Sequence, residues 1–240
     1  MNSIELTPRK VSEVLKDNQT LCADRINRYF GAFDTRIFSK SKYEKLEKVG
    51  EPEPKGFTGS FFERYSKKSD RKCFDGNDVS AAVSLSIRGE GFWVASLLNE
   101  NIDLSYFSSR DYDFCISEVA EDFFHQPRMK EIYEKLTKID GIGRVAASKL
   151  LASKRPNLFP IFDNKVSSLF LHSDDKSWQK RGNYFDWCKN WRNIMADSDV
   201  KVLLSDISTE TKNVCQPLRA LDVIFWLETQ EKDIEKRLKC

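Results

Sequence analysis

The sequence predicts a mainly α-helical fold with little or no sheet. Two observations carry that prediction. Met129, Ile132, Tyr133, Leu136 and Ile139 recur at the spacing of one helix face, and a Gly-x-Gly break at Gly141-Ile142-Gly143 is followed at once by a second helical pattern. The chain has 240 residues, enough for one large core or two small ones. The expected organisation is a single helical body over 1–240. It comprises an N-terminal helical region over 1–127, a central motif over 128–172 and C-terminal helices over 173–240.

Residues 1–20 are polar with a weak helical pattern. Asn18 or Thr20 caps an expected helix from Leu21 to Phe33, with Leu21, Ile26, Tyr29, Phe30 and Phe33 apolar. Glu51-Pro52-Glu53-Pro54-Lys55-Gly56 reads as a turn or linker. Thr58 or Ser60 caps a short helix through Phe61 and Tyr65. Asn77-Asp78 precedes Val79, Ala82, Val83 and Ser86 as a capped helix, and Trp93 to Leu98 reads as another. The helix over 129–139 ends at Asp140-Gly141. The next pairs Ala146 with Leu150 and Ala147 with Leu151, and Arg155-Pro156-Asn157 stops it. A third starts at Asp163, with Val166, Leu169 and Phe170 on one face. A helix over Tyr184 to Ile194 places Trp187 and Trp191 in the core, and Pro217 opens a last helix carrying Leu218, Leu221, Ile224, Phe225 and Leu227.

Composition excludes several classes. No apolar stretch approaches the ~20 residues of a membrane helix, and Met1 to Lys10 do not resemble a signal peptide, so a cytoplasmic protein is expected. The six cysteines form no Cys-x-x-Cys pair and only His125 and His172 are present. That argues against a zinc site, an iron–sulfur cluster or a disulfide framework. Both histidines are read as structural or exposed.

Charge is uneven. Glu100 to Pro127 holds seven acids and one base, whereas Arg128 to Lys165 holds nine bases and four acids. A local basic stretch in a near-neutral chain suits a polyanion met by one face, or a solvated helical surface. The turn sharpens the first reading. Glycines at 141 and 143 allow positive φ and leave the backbone open to a partner, and N–H groups at a helix start favour an anion. Gly141, Ile142, Gly143, Arg144 and Val145 are therefore candidate contacts to a DNA backbone, with Lys149 adding charge nearby. Lys154, Arg155 and Lys165 are phosphate contacts or solvated surface.

Asp163 follows Gly143 by 20 residues, beyond a proline-containing loop, in Phe162-Asp163-Asn164-Lys165-Val166. On these residues, segment 128–172 resembles the helix-hairpin-helix DNA glycosylases, which pair a Gly-x-Gly hairpin with a downstream aspartate. More widely, the chain resembles an uncharacterised bacterial family with a related hairpin. That likeness runs through Phe57-Thr58-Gly59, Phe61, Glu63, Asp78-Val79, Ser148-Lys149-Leu150-Leu151-Ala152, Lys154-Arg155-Pro156 and Arg219-Ala220-Leu221-Asp222-Val223.

The first resemblance implies a glycosylase-like helical fold, double-stranded DNA as partner and no cofactor, with a monovalent cation at the hairpin compatible with it. It implies a DNA N-glycosylase that removes a flipped-out damaged or modified base. If the base is a modified phage base, the role is antiviral defence. Asp163 is then the catalytic carboxylate, or an N-cap only; the two roles can coexist. Asp140 departs from the family's proline before the first glycine. Val145 stands where bifunctional members carry a nucleophilic lysine, so a monofunctional enzyme without lyase activity is expected, although Lys149 lies one turn further along. Asp222 is read as a buried acid paired with Arg219, without a catalytic role. The competing expectations are a non-catalytic helix-hairpin-helix DNA-binding protein and a helical interaction protein without a nucleic-acid role.

Overall fold

The computed structural model describes residues 7–30, 58–70, 72–89, 91–100, 102–105, 114–170, 184–212 and 214–239. The turn expected over Glu51 to Gly56 and His172 lie outside them. Among the described residues every regular element is helical and none is a strand. Eleven α-helices are described: α1 Pro8–Asp17, α2 Gln19–Phe30, α3 Phe62–Ser66, α4 Gly76–Ser84, α5 Gly91–Asn99, α6 Pro127–Lys138, α7 Arg144–Lys154, α8 Asn164–Phe170, α9 Tyr184–Ala196, α10 Ser198–Glu210 and α11 Pro217–Lys239. Single 3-10 turns cover Thr58–Phe61, Ile116–Glu118 and Phe123–His125. The fold is mainly α.

The centre of the body is α7. Its residues from Ala146 to Lys154 are all buried. A helix buried on every side must be apolar on every side or supply partners for its polar groups internally. Here α4, α3 and α6 pack around it, and its two lysines are satisfied from within the protein. The last helix, α11, packs on α2 and α8. Arg25 of α2 reinforces the first contact, with Nη2 2.7 Å from Glu231 Oε2 and Nη1 3.8 Å from Glu228 Oε2. Helices α1 and α2 pack against α10, and α9 packs on α10 and on the 116–118 turn.

Several expected boundaries move. The cap of α4 is Asp75, not Asn77 or Asp78. Asp75 Oδ1 accepts from Asn77 N at 2.8 Å and Asp78 N at 3.2 Å, while Asp78 Oδ2 accepts from Asp75 N at 2.8 Å. This reciprocal box fits an acid three residues before Asp78. No side chain caps α3, because the 3-10 turn of Thr58–Phe61 runs directly into it. The weak pattern over residues 1–20 forms α1, and α2 begins at Gln19, two residues before the expected Leu21. Helix α10 has no counterpart among the expected elements. Its cap is Asp197, accepting from Asp199 N at 3.0 Å and Val200 N at 3.1 Å, and its buried face is Val200, Leu204 and Ile207.

The loop between α7 and α8 is fixed from two sides. Ser148 Oγ accepts from Phe162 N at 3.0 Å and lies 2.8 Å from the Val145 carbonyl. Tyr184 Oη donates to the Pro160 carbonyl at 2.9 Å and Trp187 Nε1 to the Ile161 carbonyl at 3.2 Å. Trp187 and Trp191 are buried, in agreement with the core assignment. These bonds hold residues 160–162 between α7 and α9 and so place Asp163, which follows them.

Candidate functional site

The turn between α6 and α7 is the first component. Gly141 has φ +88°, and a Cβ there would come 3.1 Å from Trp93 Cβ. The positive φ favours glycine, and the tight approach to Trp93 adds to the strain of any larger residue. Gly143 differs from expectation: it takes φ −82° and ψ −179°, extended backbone open to any residue, and nothing lies within 4 Å of where its Cβ would be. What Gly143 supplies is open space in front of a helix start that no side chain caps. The Ile142 side chain is buried beneath the turn. Arg144 sits with its guanidinium 4.5 Å from the Phe162 ring centroid, a cation–π contact that links the turn to the residue before Asp163.

The second component is Asp163. It occupies the N-cap position of α8: Oδ1 accepts from Lys165 N at 2.8 Å and Val166 N at 3.4 Å. The other oxygen, Oδ2, is 3.9 Å from Lys149 Nζ. Asp163 and Lys149 line a cleft of about 450 Å³, together with Val145, Lys165, Arg219 and Asp222. Tyr29 and Trp226 give this cleft two aromatic rings, packed edge-on with centroids 6.0 Å apart. The sequence could not single them out from the other aromatic residues. Gly59 also borders it, and a Cβ there would overlap the Tyr29 hydroxyl, so this glycine permits the close approach of Tyr29.

Burial governs the cleft's electrostatics. Desolvation pulls the Lys149 ammonium below its ordinary range, and the nearby Asp163 charge opposes that pull. Lys149 Nζ donates to the Leu85 carbonyl at 2.6 Å. Burial pushes Asp222 up to about 6, against the lowering effect of Arg219. Arg219 is itself buried. It bonds Asp222 through Nη1, Glu63 Oε1 through Nε at 3.0 Å and Tyr29 Oη through Nη2 at 2.6 Å. The Arg219–Asp222 pairing agrees with expectation. The presence of Asp222 in the same cleft as Asp163 was not foreseen.

The expected phosphate contacts separate into two groups. Gly141, Gly143, Arg144 and Val145 remain at or near the surface around the turn, and Lys165 is exposed with Nζ 3.1 Å from Gln230 Oε1. Lys149, Lys154 and Arg155 are buried, which corrects their assignment to the DNA backbone or to a solvated surface. Lys149 belongs to the Asp163 cleft. Lys154 points into the protein, bonding Asp78, Ser69 Oγ at 2.6 Å and the Asp70 carbonyl at 2.6 Å. Arg155 Nη1 donates to the Lys154 carbonyl at 2.7 Å. The basic stretch from 128 to 165 is thus partly internal. Arg128 is also engaged, paired with Asp103 and Glu131, and Lys135 pairs with Glu131. His125 lies against Asp186 of α9, Nε2 to Oδ1 3.5 Å.

Among the described residues no cluster of three or more His, Cys, Asp or Glu side chains is placed to hold a metal ion. None of the described helices is long and apolar enough to cross a membrane. No curated protein and no solved structure matches the chain. A model of a family of unknown function, DUF6308, matches residues 49–229, which include the turn, Asp163 and the Arg219–Asp222 pair. The chain belongs to that family, DUF6308.

Proposed function

We propose that this protein is a monofunctional DNA N-glycosylase of the helix-hairpin-helix type, hydrolysing the bond between deoxyribose and a damaged or modified base. One observation carries the reading: Asp163 spends one carboxyl oxygen on its helix cap and presents the other, beside Lys149, to a cleft of about 450 Å³. That volume lies within the range of small-ligand sites.

Departure of a base builds positive charge on the sugar. A fixed carboxylate beside C1′ stabilises that charge and orients the attacking water. Asp163 is suited to this because its cap bonds fix the carboxyl's orientation before any ligand arrives. The nucleotide must leave the stack to reach it, at a cost of about a few kcal/mol. Trp226, half-buried at the cleft, offers ring surface to the extruded base, which offsets some of that cost. The open backbone at Gly143 and the helix start behind it are the proposed grip on the strand, with Arg144 adjacent. Val145 carries no amine, in keeping with hydrolysis by water and no lyase step.

A mass-spectrometric screen for free bases released from chemically diverse genomic DNA tests this without choosing a substrate in advance. Release of a specific base supports the proposal. The cap bonds of Asp163 also favour a second reading, a DNA-binding protein without catalysis. It predicts salt-dependent binding, weakened by Gly143→Glu, and no free base from any DNA.

A further inference from the structure

The cleft holds a second carboxyl that the proposed hydrolysis does not yet use. Asp222 lines it together with Asp163. The groups around it come from every neighbouring element: Tyr29 from α2, Glu63 from α3, Lys149 from α7, Asp163 and Lys165 at α8, Cys215 before α11, and Arg219 one turn away on α11 itself. Two of these, Glu63 and Asp163, are carboxylates; Lys149 and Arg219 are buried cations, and Lys165 is exposed at the rim. Arg219 is moreover divided between Asp222 and Glu63, and Glu63 Oε2 is buried without a hydrogen-bond partner among the described residues. Burial of Asp222, and secondarily the Asp163 charge in the same cleft, favour its protonated form against the pull of Arg219.

We infer that Asp222 is the proton donor of the site, delivering a proton to the departing base while Asp163 faces the sugar. The inference rests on the glycosylase reading. The C1′–N bond breaks and its electron pair goes to the base. The Asp222 proton passes to the base, the oxygen of water bonds to C1′, and Asp163 takes the proton that this water releases. Asp163 then gives up that proton and Asp222 regains one through solvent, so water is the only co-reactant. Two carboxyls held in different environments suit opposite roles. Asp163 is a helix cap partly open to water, whereas Asp222 is enclosed, and burial raises it to about 6.

The test compares pH–rate profiles of the full chain, Asp222→Asn, Asp222→Glu and Asp163→Asn on the DNA from which the screen finds base release. The wild-type rate is expected to fall about tenfold per pH unit above pH ~6, the limb of an essential acid. Asp222→Asn should be roughly a hundredfold slower below pH 6 and flat above it, with Asp222→Glu restoring the limb. An Asp222→Asn enzyme with the wild-type profile overturns the inference and leaves the hydrolysis at Asp163 standing. Undiminished release by Asp163→Asn overturns the underlying reading instead. Carbon-13 titration of aspartate carboxyls in the wild-type protein, assigned with Asp222→Glu, provides a readout independent of variant folding. A carboxyl with a midpoint near 6 supports the proton donor, and a set titrating wholly below about 5 contradicts it.

Discussion

Lys149 Nζ lies 3.9 Å from Asp163 Oδ2, with the lysine buried and the aspartate partly open to the cleft. The amine is also tied to the Leu85 carbonyl. In the proposed monofunctional reaction Lys149 supports the carboxylate electrostatically and does not attack the sugar. Borohydride added during turnover is therefore expected to trap no protein–DNA adduct. An adduct that vanishes in Lys149→Met would instead assign a Schiff base to Lys149 and a lyase step to the enzyme.

Lys154 sits in a different environment although it shares a helix with Lys149. It bonds Asp78, and Asp78 Oδ1 also accepts from Ser69 Oγ and Ser153 Oγ, both at 2.7 Å. Removing one partner of a buried pair leaves the other charge uncompensated, at a cost of about 3–5 kcal/mol. Lys154→Met should lose stability on that scale in urea unfolding. A loss below about 1 kcal/mol would mean that the pair is not buried as described.

The two glycines of the turn should respond differently. Gly141→Ala places a Cβ at positive φ and against Trp93, and should cost about 1–2 kcal/mol. Gly143→Ala meets no steric obstacle and should leave the unfolding midpoint nearly unchanged. Thermal unfolding of both variants checks the contrast, and equal destabilisation would contradict it.

Asp222 also sets a pH dependence of stability. Its folded-state value of about 6 lies above the ordinary carboxyl value of 3.8. The folded chain therefore holds a proton that the unfolded chain has released over this interval. The associated stabilisation is present below about pH 4 and is lost as pH rises to about 6. Urea unfolding from pH 4 to 7 should show the stability difference between wild type and Asp222→Asn shifting toward the asparagine variant as pH rises. A difference independent of pH would place Asp222 in the ordinary carboxyl range.

The helices were legible where apolar spacing was regular. The pattern from Met129 to Ile139 marks α6, and Pro217 opens α11 as expected. Helix α10 also has a readable signal, Asp197 before Val200, Leu204 and Ile207, inside the expected C-terminal helical region but without a helix assigned to it. The cap of α4 was displaced because three polar residues, Asp75, Asn77 and Asp78, compete locally. Only the backbone direction decides that Asp75 accepts while Asp78 closes the box.

The site was less legible than the helices, because motif spacing encodes local geometry and not burial. Asp163 and the turn are local features of one segment. The inward path of Lys154 depends on Asp78, which is distant in sequence, and the cleft needs Tyr29, Arg219 and Asp222 from both ends of the chain. A lysine among apolar residues on a helix has the same sequence signature whether it meets phosphate or a buried carboxylate.

The proposed hydrolysis requires the Asp163 carboxylate to perform chemistry in addition to capping α8. Asparagine caps a helix about as well as aspartate but bears no charge. The most direct measurement is single-turnover base release by Asp163→Asn beside its thermal midpoint. Release reduced by at least about a hundredfold, with the midpoint nearly unchanged, is the expected result. Release at the wild-type rate from a folded Asp163→Asn protein would contradict it.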